Sequence, residues 1–227
     1  EKEIDRVQEI KLYISETNSR NKNAIAKRIP LIPASLTKGF MVEQFGQYMK
    51  EQFSIVIGLD YATVTPCVLD FASAGLLAIT GREGAGRHNW LKYSVDMIAT
   101  EYPEMSKVYV VDHIGKKLSS LKECDHTVAY TVVADDAILY MKEIEQQVKE
   151  RYDALVAGND EILKHAELLM LVVDNPDALA AISNDPEALA AYKNIVGRYK
   201  EMKVCIIAFV ENANIPYSAP EIMKNIR

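Results

Sequence analysis

Three features of this chain predict an α/β fold with a mostly parallel sheet flanked by helices. Short, β-branched apolar runs alternate with longer stretches of helical periodicity. The runs are apolar almost throughout, as suits strands covered on both faces. Several stop at a glycine or an acid: Leu76–Thr80 before Gly81, Val108–Val111 before Asp112, and Leu168–Val173 before Asp174. Sheets of this kind bind ligands at the carboxyl ends of their strands. The residues just after Thr80, Asp112, Val173 and Val210 are therefore expected to share one rim.

In chain order, Ile4, Val7, Ile10 and Ile14 fall three to four apart among charges and predict an amphipathic helix over 1–20. A connector follows, held extended by Pro30 and Pro33. Residues 53–59 and 63–71 read as two β runs joined through Gly58-Leu59-Asp60, and 75–80 as a third that ends among glycines. Trp90–Ala99 reads as a helix, Val108–Val111 as a short buried strand and Val128–Val133 as another. From Asp136, Ile138, Met141, Glu145, Val148, Tyr152 and Leu155 lie near one helical face, with Gly158 as the stop. Leu168–Val173 is the most apolar strand. Pro176–Tyr199 is one helix or two, broken near Asn184-Asp185-Pro186, and Val204–Val210 is the last strand. Residues 1–30 are thus expected to be an N-terminal helix and linker, and 31–227 one domain.

Composition narrows the function. The chain has 227 residues, enough to bury about 70–75% of its unfolded surface. Lys and Arg total 26 against 32 Asp and Glu, a net charge of −6, so net charge supplies no footprint for DNA or an anionic membrane. No apolar run approaches the roughly 20 residues that span a bilayer. The opening at Glu1, without Met or signal peptide, is expected of a piece of a longer protein. Three cysteines do not make a disulfide framework and fit a reducing compartment. Cys67 and Cys205 read as small core hydrophobes. Cys124, His126 and His113 match no zinc spacing and lack a fourth ligand.

The chemistry concentrates at two places. After the 76–80 run comes Gly81-Arg82-Glu83-Gly84-Ala85-Gly86-Arg87-His88-Asn89. Gly81 and Gly86 have the spacing of a phosphate-binding loop, G-x-x-x-x-G-K-[ST], with a strand before and a helix after. Glycines let consecutive N–H groups turn inward toward an anion, and the helix adds its positive end. Arg87 stands in place of lysine, a rigid fork in place of a compact cation. His88 stands in place of the serine or threonine whose hydroxyl ligates Mg²⁺, a hard ion that prefers oxygen. The second place is Leu168–Val173 with Asp174 and Asn175 after it. An apolar strand ending in aspartate is a Walker B arrangement, in which Asp174 would steady a weakly held Mg²⁺. Asn175 occupies the next position, where glutamate would polarise water, and cannot act as a base. Together these predict a P-loop NTPase fold with ATP as ligand, Mg²⁺ optional or absent, and inefficient hydrolysis.

The chain resembles the FtsK/SpoIIIE family of P-loop motor ATPases. The resemblance rests on Ile57–Asp60, Pro66–Phe71 and Leu76–Gly81, on Arg151-Tyr152 in the 145–155 helix, on Val172–Leu179, and on Val204–Glu211. Within the family, Ile29–Pro33, the degenerate 81–88 loop, Val173–Pro176 and Asn212–Pro216 are similar to the third, C-terminal ATPase domain of type VII secretion coupling proteins. That resemblance implies a RecA/FtsK-like core and a membrane-anchored parent chain with tandem cytosolic ATPase domains, at the plasma membrane of a Gram-positive bacterium. It implies secreted WXG100-type or related substrates and the neighbouring ATPase domains as partners. It implies no DNA partner, a monomeric isolated domain in an oligomeric full-length protein, and final strands beyond Arg227. Nucleotide is then bound weakly or not at all, and the domain serves substrate recognition or regulation. A working ATPase and a DNA translocase domain are the alternatives.

A few residues carry lesser expectations. Arg151 and Arg198 are surface ion-pair formers or, less simply, fingers toward a neighbouring domain's phosphates. Trp90 packs its helix or stacks on a base. Tyr109 and Asp112 are candidate rim-lining residues. The alanine-rich 178–191 stretch with Ile215, Tyr217 and Ile222 either forms a groove for a helical signal segment or closes the core.

Overall fold

A computed structural model describes residues 2–21, 31–82, 84–210 and 220–223. Strand β1 (Ser54–Leu59) pairs antiparallel with β2 (Pro66–Asp70) as a separate hairpin. Five strands, β3 (Gly75–Thr80), β4 (Ser106–Val111), β5 (Thr127–Thr131), β6 (Leu168–Val173) and β7 (Val204–Val210), form one parallel sheet in the order β3-β7-β6-β4-β5. The helices are α1 (Lys2–Arg20), α2 (Lys38–Phe45), α3 (Phe71–Ala74), α4 (Arg87–Glu101), α5 (Asp136–Val156), α6 (Pro176–Asn184), α7 (Pro186–Gly197) and α8 (Pro220–Met223).

The predicted α/β class, with a parallel sheet flanked by helices, is the observed one. β3, β6 and β7 have the expected bounds, and α6 and α7 break at Asp185-Pro186, where Asp185 Oδ1 accepts from the Ala188 amide at 2.7 Å. A proline opens each of the two helices, which suits a first helical position that needs no N–H donor. The two early β runs form a hairpin outside the main sheet, and the second stops at Asp70. That carboxylate accepts from the Ala72 amide at 2.9 Å and caps α3, so Phe71 is helical. Helix α2 was not expected. Its sequence signal is Thr37, whose hydroxyl accepts from the Phe40 amide at 3.3 Å.

Pleating divides the continuous apolar run of β6 between two cores. Leu169, Leu171 and Val173 face α5, α6 and α7 with Ile144, Val148, Ile182 and Ile195. Leu168, Met170 and Val172 face α4 and the hairpin with Phe53, Ile55, Phe71, Leu91 and Ile98. All six β6 residues have no exposed surface. The alanine-rich stretch lies in the first of these cores: Ala178, Leu179, Ile182, Ala188 and Ala191 are buried, and so is Ile222, whose carbonyl accepts from the Tyr192 hydroxyl at 2.8 Å. These residues pack into the core; Ile215 and Tyr217 lie outside the described residues.

Cys205 is buried as expected, and burial pushes its thiol well above the ordinary range. Cys67 is exposed, which corrects its reading as a core residue; it sits on the hairpin, not on the main sheet. Helix α1 forms as expected, with Val7, Ile10, Leu12, Tyr13 and Ile14 all at least half exposed.

Because Leu171 sits mid-strand between β7 and β4 with no exposed surface, Leu171→Ala is expected to lower the unfolding free energy by about 2–5 kcal/mol. Val128→Ala on the edge strand β5, where the side chain is half exposed, should change it by less than about 0.5 kcal/mol. Urea-unfolding midpoints check both.

Candidate functional site

Parallel register brings the candidate residues together. Thr80 lies level with Val210, Ala208 with Val173, and Val173 with Val111. The carboxyl ends of four strands therefore form one edge, with Gly81 after β3, Asp112 after β4 and Asp174 after β6. β7 lies between the loop-bearing strand and the acid-bearing strand, so whatever joins the loop to Asp174 must reach across it.

The loop curls as its glycines allow. Gly84 and Gly86 have φ of +80° and +85°, in the left-handed region that side chains rarely enter. The Ala85 amide donates to the Arg82 carbonyl at 3.0 Å, closing a turn, and α4 starts at Arg87. Gly86 caps α4 without a side chain, so no side-chain cap covers the first-turn amides, which have no partner within a helix. Arg82, Gly84, Ala85, Gly86, Arg87, His88 and Asn89 line a cavity of about 190 Å³ here. Gly81 stands behind it, close against Ala85 and the Arg87 stem. Glu83 lies outside the described residues.

His88 makes the crossing to β6. Its Nε2 is 2.7 Å from Asp174 Oδ2, and the two side chains are only 19% and 9% exposed. With the proton on Nε2, the ring donates to the carboxylate. The imidazole also stacks on Phe209 of β7, with centroids 5.1 Å apart and planes 10° from parallel. Arg87 lies along the same ring, its guanidinium 5.9 Å from the centroid, and donates to the Val210 carbonyl at 3.4 Å. Phe209 is thus a shelf for both residues that replace the usual lysine and hydroxyl. The sequence reading missed it; the signal is an aromatic one residue from the end of a strand that pairs beside the loop strand.

These residues do not fit Mg²⁺. The oxygen that a phosphate loop contributes from the first turn of its helix is replaced by an imidazole nitrogen, and Asp174 Oδ2 is engaged by that same ring. Asn175 is committed too. It is 8% exposed, and its Oδ1 accepts from the Asp177 amide at 3.0 Å, capping α6. Its side chain therefore serves the helix. The phosphate tail of a nucleotide does fit the cavity: its lining includes the Arg82, Arg87 and Lys117 side chains and the start of α4. At about 190 Å³ it is smaller than the ~300–1,000 Å³ of typical small-molecule pockets, so it suits a phosphate chain better than a whole nucleoside. Lys117, from the segment after β4, is a lining residue that sequence reasoning also missed.

Other candidates lie elsewhere. Asp112 has no exposed surface and faces inward, accepting from the Leu118 amide at 2.9 Å and the Tyr130 hydroxyl at 2.6 Å. Tyr109 is buried against α5, where its hydroxyl donates to Glu143 at 2.7 Å; burial first, then Glu143, pushes the phenol up to about 12. Neither lines the rim, which corrects the expectation for both. Arg151 donates to the carbonyls of Met202 and Lys203, at the amino end of β7 and away from the loop, and burial lowers its pKa. It is a backbone anchor, not a surface ion pair. Arg198 lies over Tyr152 at 4.4 Å. Trp90 stacks on Phe71 and packs in the core. His126 Nδ1 is 2.9 Å from the Ser106 hydroxyl, and His113 Nδ1 accepts from the Gly115 amide.

No protein-family model and no curated protein sequence matches the chain. Solved structures do. The EssC fragment with ATPases 2 and 3 from Geobacillus thermodenitrificans superposes with a TM-score of 0.66 at 17% identity, over 97% of this chain and 42% of that one. Thermomonospora curvata EccC (ATPases 2 and 3), solved in complex with a signal sequence peptide, gives 0.62 at 17% identity over 88% and 36%. The pCW3 conjugation coupling protein TcpA, solved with ATPγS, gives 0.62 at 16% over 86% and 57%. The chain spans well under two thirds of each of these three. At such identities the likeness establishes the fold alone, a parallel α/β sheet flanked by helices that this chain shares with those ATPase structures.

Because Asn175 caps α6, Asn175→Ala is expected to destabilise the domain by about 1 kcal/mol, while Asn175→Asp, which keeps an accepting oxygen, should leave stability within about 0.5 kcal/mol. Denaturant unfolding of the two variants measures the difference.

Proposed function

We propose that this chain is the C-terminal ATPase-like domain of a type VII protein-secretion motor, and that it holds nucleotide phosphates weakly and without metal instead of turning them over. The carrying observation is the 2.7 Å contact between His88 and Asp174, which occupies the positions where a hydrolytic site would place a hydroxyl, Mg²⁺ and a carboxylate. The capping of α6 by Asn175 supports the same reading, since the position next to the acid carries no base. The loop, by contrast, keeps what anion binding needs: turned backbone, an uncapped helix start and cations.

The likeness to EssC and EccC fragments that hold ATPases 2 and 3 supports a place beside other ATPase domains in one longer cytosolic chain. The domain organisation follows: 1–30 as helix and linker, 31–227 as the ATPase-like domain, on the cytosolic side of a Gram-positive plasma membrane. No helix among the described residues is long and apolar enough to cross a membrane, so the anchor in this reading belongs to other parts of the parent chain. The EccC complex with a signal sequence peptide supports secreted proteins of the WXG100 or related type as partners, recognised or gated by a domain that does not cycle. The isolated domain is monomeric in this reading and the full-length motor oligomeric.

A second reading, a DNA-handling domain, draws on the likeness to a conjugation coupling protein. The net charge of −6 runs against it, and salt-dependent DNA binding by the chain would establish it.

Calorimetry with ATP is expected to give the same affinity in Mg²⁺ and in EDTA, within about twofold, and no turnover above background. The double substitution Arg87→Lys, His88→Ser frees Asp174 and restores a hydroxyl. It should make binding Mg²⁺-dependent by about tenfold, with turnover still low until Asn175→Glu is added. Brisk ATP hydrolysis by the unmodified chain would overturn the reading.

A further inference from the structure

We propose that Lys117 is a phosphate-binding cation of this site, beside Arg82 and Arg87 in the same lining, and that buried Asp112 is the residue that positions it. The inference rests on the reading of the 81–89 loop as a phosphate site, and adds a residue from a different strand end together with the device that holds it.

Arg87 lies beside the loop, but its guanidinium is drawn onto Phe209 and toward the Val210 carbonyl. Lysine at that position would follow the phosphate chain as a compact charge. Lys117 brings such a charge from elsewhere. It lines the same 190 Å³ cavity as Gly84–Asn89, although it lies 30 residues after Arg87 in sequence and follows β4, three strands across from β3.

The segment carrying Lys117 is built to present it. The Lys116 amide donates to the His113 carbonyl at 2.8 Å and the Ser119 amide to the Lys116 carbonyl at 3.1 Å, so 113–119 is a compact double turn. Lys116 has a φ of +51°, a left-handed kink immediately before Lys117. The far end is pinned by Asp112, whose Oδ2 accepts from the Leu118 amide next to Lys117 and from the Tyr130 hydroxyl. The Asp112 side chain has no exposed surface, and its Oδ1 has no hydrogen-bond partner among the described residues. A buried carboxylate oxygen left in this state costs stability. What Asp112 does in return is fix the backbone beside Lys117, at buried Leu118, after the exposed run 113–117.

The ligand class is a linear phosphate chain, either the tail of a nucleotide or an inorganic polyphosphate. Titrating the 227-residue chain in EDTA with ATP and with sodium tripolyphosphate, at several salt concentrations, tests the assignment and separates the two sources. Binding of both probes identifies the chain of phosphates as the recognised group; binding of ATP alone identifies a nucleotide. In either case Lys117→Gln is expected to weaken binding about tenfold and to flatten its salt dependence, with Lys117→Arg restoring most of both. Asp112→Asn is expected to weaken binding about threefold in the parent, and not at all once Lys117 is Gln, because its effect passes through Lys117. Tyr130→Phe, which removes one contact to Oδ2 and leaves the carboxylate, is the milder variant if Asp112→Asn does not fold. A general structural role for Asp112 would instead weaken binding equally in both backgrounds and overturn the positioning assignment. Lys117→Gln binding like the parent, with the same salt slope, would overturn the inference while leaving the phosphate site standing. Failure of the parent to bind either probe would overturn both.

Discussion

One hydrogen bond organises the candidate site. His88 at the start of α4 and Asp174 at the end of β6 are held apart by the width of β7, and the imidazole spans that gap directly. A serine or threonine side chain is too short to do so and would need an ion between. The ring also settles flat on Phe209, so its orientation is set by packing as well as by the carboxylate. Once that bond is made, the acid at the strand end has a protein partner, and the first turn of α4 is tied to the centre of the sheet.

The rest of the edge follows from it. Arg87 shares the Phe209 shelf and donates to the Val210 carbonyl at the end of β7, while Arg82 and Lys117 bring further positive charge to the cavity it lines. Asn175 belongs to α6, whose N-terminus needs an acceptor more than the edge needs a base. Each substitution that distinguishes the loop and the strand end from a hydrolytic motif therefore has a structural occupation. The turned backbone of the loop and its cations keep the features that anion binding uses, while His88, Asp174 and Asn175 are committed to protein contacts.

Much of this was legible in the residues. Several strands of the main sheet are short, apolar and end before a glycine or an acid, and β3, β6 and β7 have the expected bounds to the residue. That His88 offers a ring nitrogen in place of a hydroxyl, and Asn175 an amide in place of a base, could be read from their functional groups. Less legible were residues whose meaning depends on a partner far away in sequence. Asp112 and Asp174 both end apolar strands, yet one turns inward to Tyr130 and Leu118 while the other faces the loop. Cys67 sits in an apolar run but on a two-stranded hairpin with an open face, so it is exposed. The alanine-rich 178–191 stretch is equally suited to an open groove and to close packing, and only the arrival of α5 makes it core.

By itself the sequence determined the α/β class, the order of its elements, the position of the glycine loop and the ligand types on offer there, because each of these rests on local periodicity, backbone freedom or side-chain chemistry. The tertiary structure decided which strand ends stand side by side, that His88 closes on Asp174 over Phe209, that Arg151 binds carbonyls at the opposite end of the sheet, and that Lys117 joins the loop from three strands away. The physical reason is strand order. A parallel sheet places β7 between β3 and β6 by packing and crossover constraints that no local stretch of the chain carries, and every long-range contact of the site is a consequence of that order.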